Sequence, residues 1–159
     1  MLLQISVIDQ IKGDGKMTIL NGLKILDFSS LLPGPLATMM FADLGADVIH
    51  VESENRVDLM RIMPPYDEDR EAFIHQHLNR SKRSLTLNLK SPEAVEIVKK
   101  LIVDYDIIIE GFRPGVMKRL GIDYETLREV NPRLIYCSIT VYGQTGPFAN
   151  RPGHDNNYL

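Results

Sequence analysis

The stretch Gly22–Glu52, GLKILDFSSLLPGPLATMMFADLGADVIHVE, decides the fold because it reads as one complete strand, helix and strand unit. Leu23, Ile25, Leu26 and Phe28 form a short apolar run that stops at Ser29-Ser30, the pattern of a strand buried on both faces. Gly34 and Pro35 then break the chain. Pro35 has its φ preset and no N–H to lose, which suits a first helical turn, and Leu36, Met39, Met40 and Leu44 recur at helical spacing up to Gly45. From Asp47 the chain turns extended again and closes on Glu52. Two extended runs joined by such a helix predict parallel strands with a right-handed crossover, the seed of an open α/β sheet.

In such a sheet ligands sit at the carboxyl ends of the strands, here around Ser29–Gly34 and around Glu52. An acid closing the second strand invites comparison with a ribose-binding carboxylate. A dinucleotide fingerprint needs three spaced glycines, however, and only one is present, so Glu52 reads as a solvated strand end.

The grammar repeats downstream. Ser84–Lys90 alternates apolar and polar residues as a strand, and Ser91-Pro92-Glu93 supplies an N-cap, a first-turn proline and a first-turn acid. Val95, Val98, Leu101 and Ile102 give the buried helical stripe, and Asp106–Glu110 is another central strand. Phe112-Arg113-Pro114-Gly115 leads into a short helix ended by Gly121; Asp123 opens the next, stopped at Asn131-Pro132, and Leu134–Val141 is a further strand. The intervening segment Ser53–Arg83 reads as loop with a short helix across Glu71–Leu78. Its His75 and His77, two apart, point to different faces, so a metal site is not expected. The fold class predicted is α/β, an open, mostly parallel Rossmann-like sheet with helices on both faces. Residues 1–16 read as an extension ahead of Met17, and residues 17–159 as the folded domain.

At 159 residues, 44% hydrophobic and 25% charged, the chain has the composition of a soluble globular domain with its own core. The net charge of -3 gives no sign of a nucleic-acid surface. No apolar run approaches the roughly 20 residues of a membrane span and no leader is apparent, so a cytoplasmic location is expected. Cys137, the single cysteine, lies in the apolar run LIYCSI and reads as a packed, reduced thiol.

Cations recur near strand ends: Lys82 and Arg83 before the third strand, Lys90 after it, and Arg113 after the fourth. Lys90 and Arg113 fall on the ligand-binding edge, which would suit a phosphorylated nucleotide; solvated charges are the alternative. His154, between Gly153 and Asp155, has the surroundings of an exposed general base, against the commoner structural role of a lone histidine.

The segments LLPGPLATMMFADLGADVIHVE, NRSKRSLTLNLKSPEA, IIEGFRPGVMKRLGI, NPRLIYCSITVYGQTGP and GHDNNYL, in that order, closely resemble the class III CoA-transferase family over residues 20–159. Pro33-Gly34-Pro35 and the Gly-His-Asp segment resemble its α-methylacyl-CoA racemase branch. The resemblance implies His154, aided by Asp155, as the base that exchanges the Cα proton of a 2-methylacyl-CoA. It also implies Leu87, Asn88, Leu89, Lys90, Gly153, Asn157 and Tyr158 along the acyl-CoA site, with Arg113 and Arg119 toward the nucleotide or phosphate end. No cofactor would be held permanently, the CoA thioester being substrate, and neither metal, nucleic acid nor membrane is implied. Ser53 stands where racemases carry an arginine, Asn88 replaces the usual aspartate and Asn156 an apolar residue. The alternative within the family is a CoA-transferase working through an aspartyl acyl anhydride. Family members are more than twice as long and form interlocked homodimers, and the carboxylate both chemistries need lies past residue 159. The chain therefore reads as an N-terminal fragment, inactive alone; a truncated domain that only binds CoA is the non-enzyme reading.

Overall fold

The computed structural model describes residues 18–157. The expectations for residues 1–16, for Met17 and for Tyr158 fall outside them. Five strands, β1 (Lys24–Phe28), β2 (Asp47–Glu52), β3 (Arg83–Thr86), β4 (Ile107–Glu110) and β5 (Ile135–Ser138), form one sheet in the order β3-β2-β1-β4-β5. All four pairings are parallel. The order reverses at β1, whose neighbours are β2 and β4, so the crevice between the carboxyl ends of β1 and β4 is the switch point where such sheets take ligands.

Alternation along the strands splits the core into two layers. Leu26, Phe28, Ile49, Val51, Leu85 and Ile108 face α3 (Pro92–Ile102), α4 (Val116–Leu120) and α5 (Tyr124–Val130), packing with Val98, Ile102, Met117 and Leu127. Ile25, Val48 and Ile109 face the other way, onto Ala42 of α1 (Pro33–Asp43) and Ala46 beyond it. A short α2 (Phe73–Asn79) accompanies α1, so helices cover both faces.

Local chemistry sets the ends of these elements. Pro33 and Pro35 occupy the first turn of α1, and Gly45, at φ 97°, takes the left-handed turn that releases the chain into β2. Ser91 Oγ accepts from the Ala94 N–H at 3.2 Å and caps α3, while Asn131 Nδ2 donates to the carbonyls of Ile102 and Tyr105, both at 2.9 Å, closing that helix's far end.

Several expectations change. β3 ends at Thr86, so Leu87–Lys90 is the turn after the strand rather than its second half. Cys137 is exposed. It aligns with Ile109 on the α1 face of β5, the outermost strand, beyond the reach of α1, and Ile135 on the same face is exposed as well. On α1 itself Met39 is buried, whereas Leu36, Met40 and Leu44 are exposed and the inward face is made by Gly34, Pro35, Thr38, Met39 and Ala42.

Candidate functional site

The carboxyl edge of the sheet collects the loops that follow β1, β3, β4 and β5. After β3, Asn88 builds a turn: its carbonyl accepts from Ser91 N at 2.9 Å and its Oδ1 from Lys90 N at 3.2 Å. Leu87 is buried, its N–H bonded to the Glu52 carbonyl at 2.9 Å, which ties the turn to the end of β2. The turn opens onto a cavity of about 400 Å³ lined by Leu89, Lys90, Ser91, Val95, Arg119 and Leu120. Its lining joins the apolar side chains of Leu89, Val95 and Leu120 to the two cations Lys90 and Arg119.

Of the residues singled out from the sequence, the structure brings Leu89, Lys90 and Arg119 together in this cavity. Arg113 stands apart, exposed on the loop leaving β4. Among the described residues Lys90, Arg113 and Arg119 have no carboxylate within 4.0 Å, whereas Arg61, Arg80, Lys82 and Arg83 each pair with one. Gly115, the residue before α4, adopts φ 79°, a left-handed conformation that favours glycine. Gly153 packs against Val141, where a Cβ would fall 2.6 Å from Cγ1. His154 is exposed; its N–H bonds to Asn157 Oδ1 at 2.7 Å and its carbonyl accepts from Asn157 N at 2.8 Å, in a 3₁₀ turn over Asp155–Asn157. His154 does not line the cavity. The side chain of Asp155, like Tyr158, lies outside the described structure.

Lys82 and Arg83, grouped in the sequence with the other strand-end cations, are not available to a ligand. Arg83 forks onto Asp47 with contacts of 2.6 to 3.0 Å at the opposite end of β2. Lys82 is 4% exposed and pairs with Asp27 at 3.4 Å. Glu52 is not a solvated strand end: Arg61 forks onto it at 2.9 and 2.8 Å, Ser84 Oγ donates to it at 2.7 Å, and buried His75 stands 3.8 Å away. Burial alone would raise its pKa, but His75, Arg61 and Ser84 hold it well below the usual carboxylate range. The carboxylate that a dinucleotide fold would offer to ribose is thus consumed internally.

Two carboxylates that the sequence reading passed over organise the central loops. Asp27, fully buried, accepts from Ser29 N at 2.9 Å, from Ser29 Oγ, and from Thr38 Oγ1 at 2.5 Å. Burial opposes its charge, yet His50, Lys82 and the Ser29 hydroxyl bring its pKa down to about 2. Glu110, 3% exposed at the end of β4, accepts from Phe112 N at 2.8 Å, and burial pushes its pKa up against the bonds from Ser138 and Phe112. The available signal for Asp27 was its parity: it sits two residues from Ile25, on the face packed against α1, where an unpaired acid cannot remain.

Among the described residues no group of three His, Cys, Asp or Glu side chains could hold a metal, and no helix is long and apolar enough to cross a membrane.

A family model described as CoA-transferase family III matches residues 20–159. The human succinyl-CoA:glutarate CoA-transferase is 43% identical over 136 residues, covering 86% of this chain and 31% of the relative. The acetyl-CoA:oxalate CoA-transferase of Acetobacter aceti is 42% identical over 135 residues, 85% of this chain and 34% of the relative. Among solved structures, a CAIB/BAIF family protein from Brucella suis superposes with a TM-score of 0.82 at 41% identity, covering 89% of this chain and 38% of that one. The chain spans about a third of the length of the curated relatives it matches.

Proposed function

The chain belongs to CoA-transferase family III, and from that membership we propose that it forms the CoA-binding part of an acyl-CoA:carboxylic acid CoA-transferase. The observation that carries the reading is that Lys90 and Arg119, neither paired with a carboxylate, line one cavity together with Leu89, Val95 and Leu120. A CoA thioester offers phosphates for the two cations and an apolar chain for Leu89, Val95 and Leu120. The loop Gly111–Pro114, which carries Arg113, leaves β4 at the carboxyl edge and leads into α4, on which Arg119 stands.

Transfer is favoured over racemisation. Both relatives named above are CoA-transferases, whereas the racemase reading rests on Pro33-Gly34-Pro35 and on Gly153–Leu159. In the transferase reading an aspartate outside these residues attacks the thioester carbonyl and CoA leaves as the thiolate; the thiolate then attacks the aspartyl carbonyl of the anhydride and releases the first acid, and the incoming carboxylate and the thiolate repeat the two steps in reverse, which forms the new thioester and regenerates the aspartate. His154 is then an exposed residue near the acyl end and not the base.

The test uses the full-length protein to which these residues belong, incubated in heavy water with an acyl-CoA and a second carboxylic acid. Appearance of the second acid's CoA thioester without deuterium at Cα supports transfer. Deuterium at Cα without a new thioester restores the racemase, with His154 as its base.

A further inference from the structure

We propose that Asp27 and Lys82 are positioning residues: the buried pair fixes the loop Ser29–Pro35 so that it forms one wall of the crevice that receives the thioester end of CoA. The inference rests on the reading of this chain as a CoA-binding domain. Most of the pair's outward contacts go to that loop and to the first turns of α1, the others reaching Asn79 at the end of α2 and His50, whose Nδ1 lies 3.4 Å from Asp27 Oδ2. Asp27 holds Ser29 by its N–H and its hydroxyl at the loop's start, and Thr38 Oγ1 at its far side. The same hydroxyl, its one proton directed to Asp27, lies 3.1 and 3.2 Å from the carbonyl oxygens of Gly34 and Pro35. Lys82 Nζ donates to the Pro35 carbonyl at 2.9 Å, to Asn79 Oδ1 at 3.1 Å and to Asp27 at 3.4 Å.

Three further observations place the loop at the site. Leu31 adopts φ 65°, a left-handed conformation that costs a branched residue energy and that the surroundings must enforce; its N–H is held by Asp58 Oδ2 at 3.2 Å. Gly34 lies so close to Ser29 that a Cβ would overlap its hydroxyl and its Cβ. A Cβ on Gly111, the residue leaving β4, would stand 3.7 Å from Ser29 Cβ, so the loops after β1 and β4 face each other across the switch point.

A buried ion pair is a poor way to add stability, since desolvation cancels most of the attraction and an apolar pair of similar volume does as well. What Asp27 and Lys82 supply that an apolar pair cannot is direction. They specify where Ser29 and the Pro35 carbonyl sit, as a supporting shell does for a binding wall.

The experiment compares the unaltered chain with Asp27→Asn/Lys82→Met, which removes both charges together. Each is titrated with acetyl-CoA and with 3′-phosphoadenosine 5′-diphosphate, the nucleotide half alone. The expected result is an affinity for acetyl-CoA reduced about tenfold with that for the nucleotide half unchanged, since the cavity at Lys90 and Arg119 is built by other elements. A variant that loses both ligands equally, or neither, overturns the positioning role, because general loosening of the fold would not separate the two halves. If the double variant does not fold, Thr38→Val, which removes one bond to Asp27, takes its place with the same split expected at smaller size. An unaltered chain that binds neither ligand defeats the CoA-binding reading itself, and this inference with it; one that binds both while the variants show no split defeats this inference alone.

Discussion

Arg61 lies fork on fork against Glu52, Nε to Oε1 at 2.9 Å and Nη2 to Oε2 at 2.8 Å, and so seals the carboxyl end of β2. Arg61→Ala should cost about 1–2 kcal/mol of folding stability, the scale of a charged hydrogen bond discounted for the one-third exposure of the arginine. Urea unfolding measures it. The unaltered chain should show no NAD binding in the same buffer, because its ribose-binding candidate is occupied; saturable NAD binding would contradict that assignment.

Acid should destabilise the chain in two overlapping steps. Asp27 and Glu52 both have folded pKa values below their unfolded ones, so each contributes stability above the unfolded value that is lost as pH falls toward the folded one. For Asp27 the window runs from about pH 4 down to about 2 and is worth roughly 2 kcal/mol. Urea midpoints between pH 6 and 2 should fall through that range, and Asp27→Asn/Lys82→Met should flatten part of the decline.

Glu110 has the opposite sign. Its folded pKa is raised by burial, so the stability it contributes is present below the unfolded pKa and is lost as pH rises through the folded value. Glu110→Gln keeps an acceptor for the Phe112 N–H and removes the charge. The variant should therefore lose less stability than the unaltered chain as pH rises from the unfolded pKa, read by the thermal midpoint; identical slopes would assign no titration to Glu110.

Gly34→Ala should destabilise by about 1–3 kcal/mol through overpacking against Ser29, although the backbone at Gly34 tolerates a side chain. Ser29→Gly in the same chain should recover part of the loss that Ser29→Gly alone would not predict, a coupling readable from a double-mutant cycle.

The βα units were legible in the sequence because their signals are local. Ser91-Pro92-Glu93 marks a helix start by itself, and the apolar runs of β1, β2 and β4 mark central strands. The carboxyl-edge placement of Lys90 and Arg113 followed from parallel order alone. What could not be read depends on partners distant along the chain. Lys82 meets Asp27 across 55 positions, so it looked like one more strand-end cation. Glu52 and Arg61 are nine apart through an irregular segment whose path no periodicity reveals. Helix α1 carries apolar residues on both faces, so the spacing of Leu36, Met40 and Leu44 does not reveal which face turns inward. Cys137 looked packed because an edge strand and a central strand share the same composition.

On the proposed reading, this chain takes CoA at the carboxyl edge through the cavity of Lys90 and Arg119. Calorimetric titration of CoA into the chain and into Lys90→Ala/Arg119→Ala tests it most directly. Lys90 and Arg119 are exposed, so each contact with a phosphate is worth about 1 kcal/mol, at the upper end for a solvated ion pair. The account predicts saturable binding that weakens with added salt and falls at least about tenfold in the double variant. Equal affinity in the two proteins, or binding indifferent to salt, would contradict it.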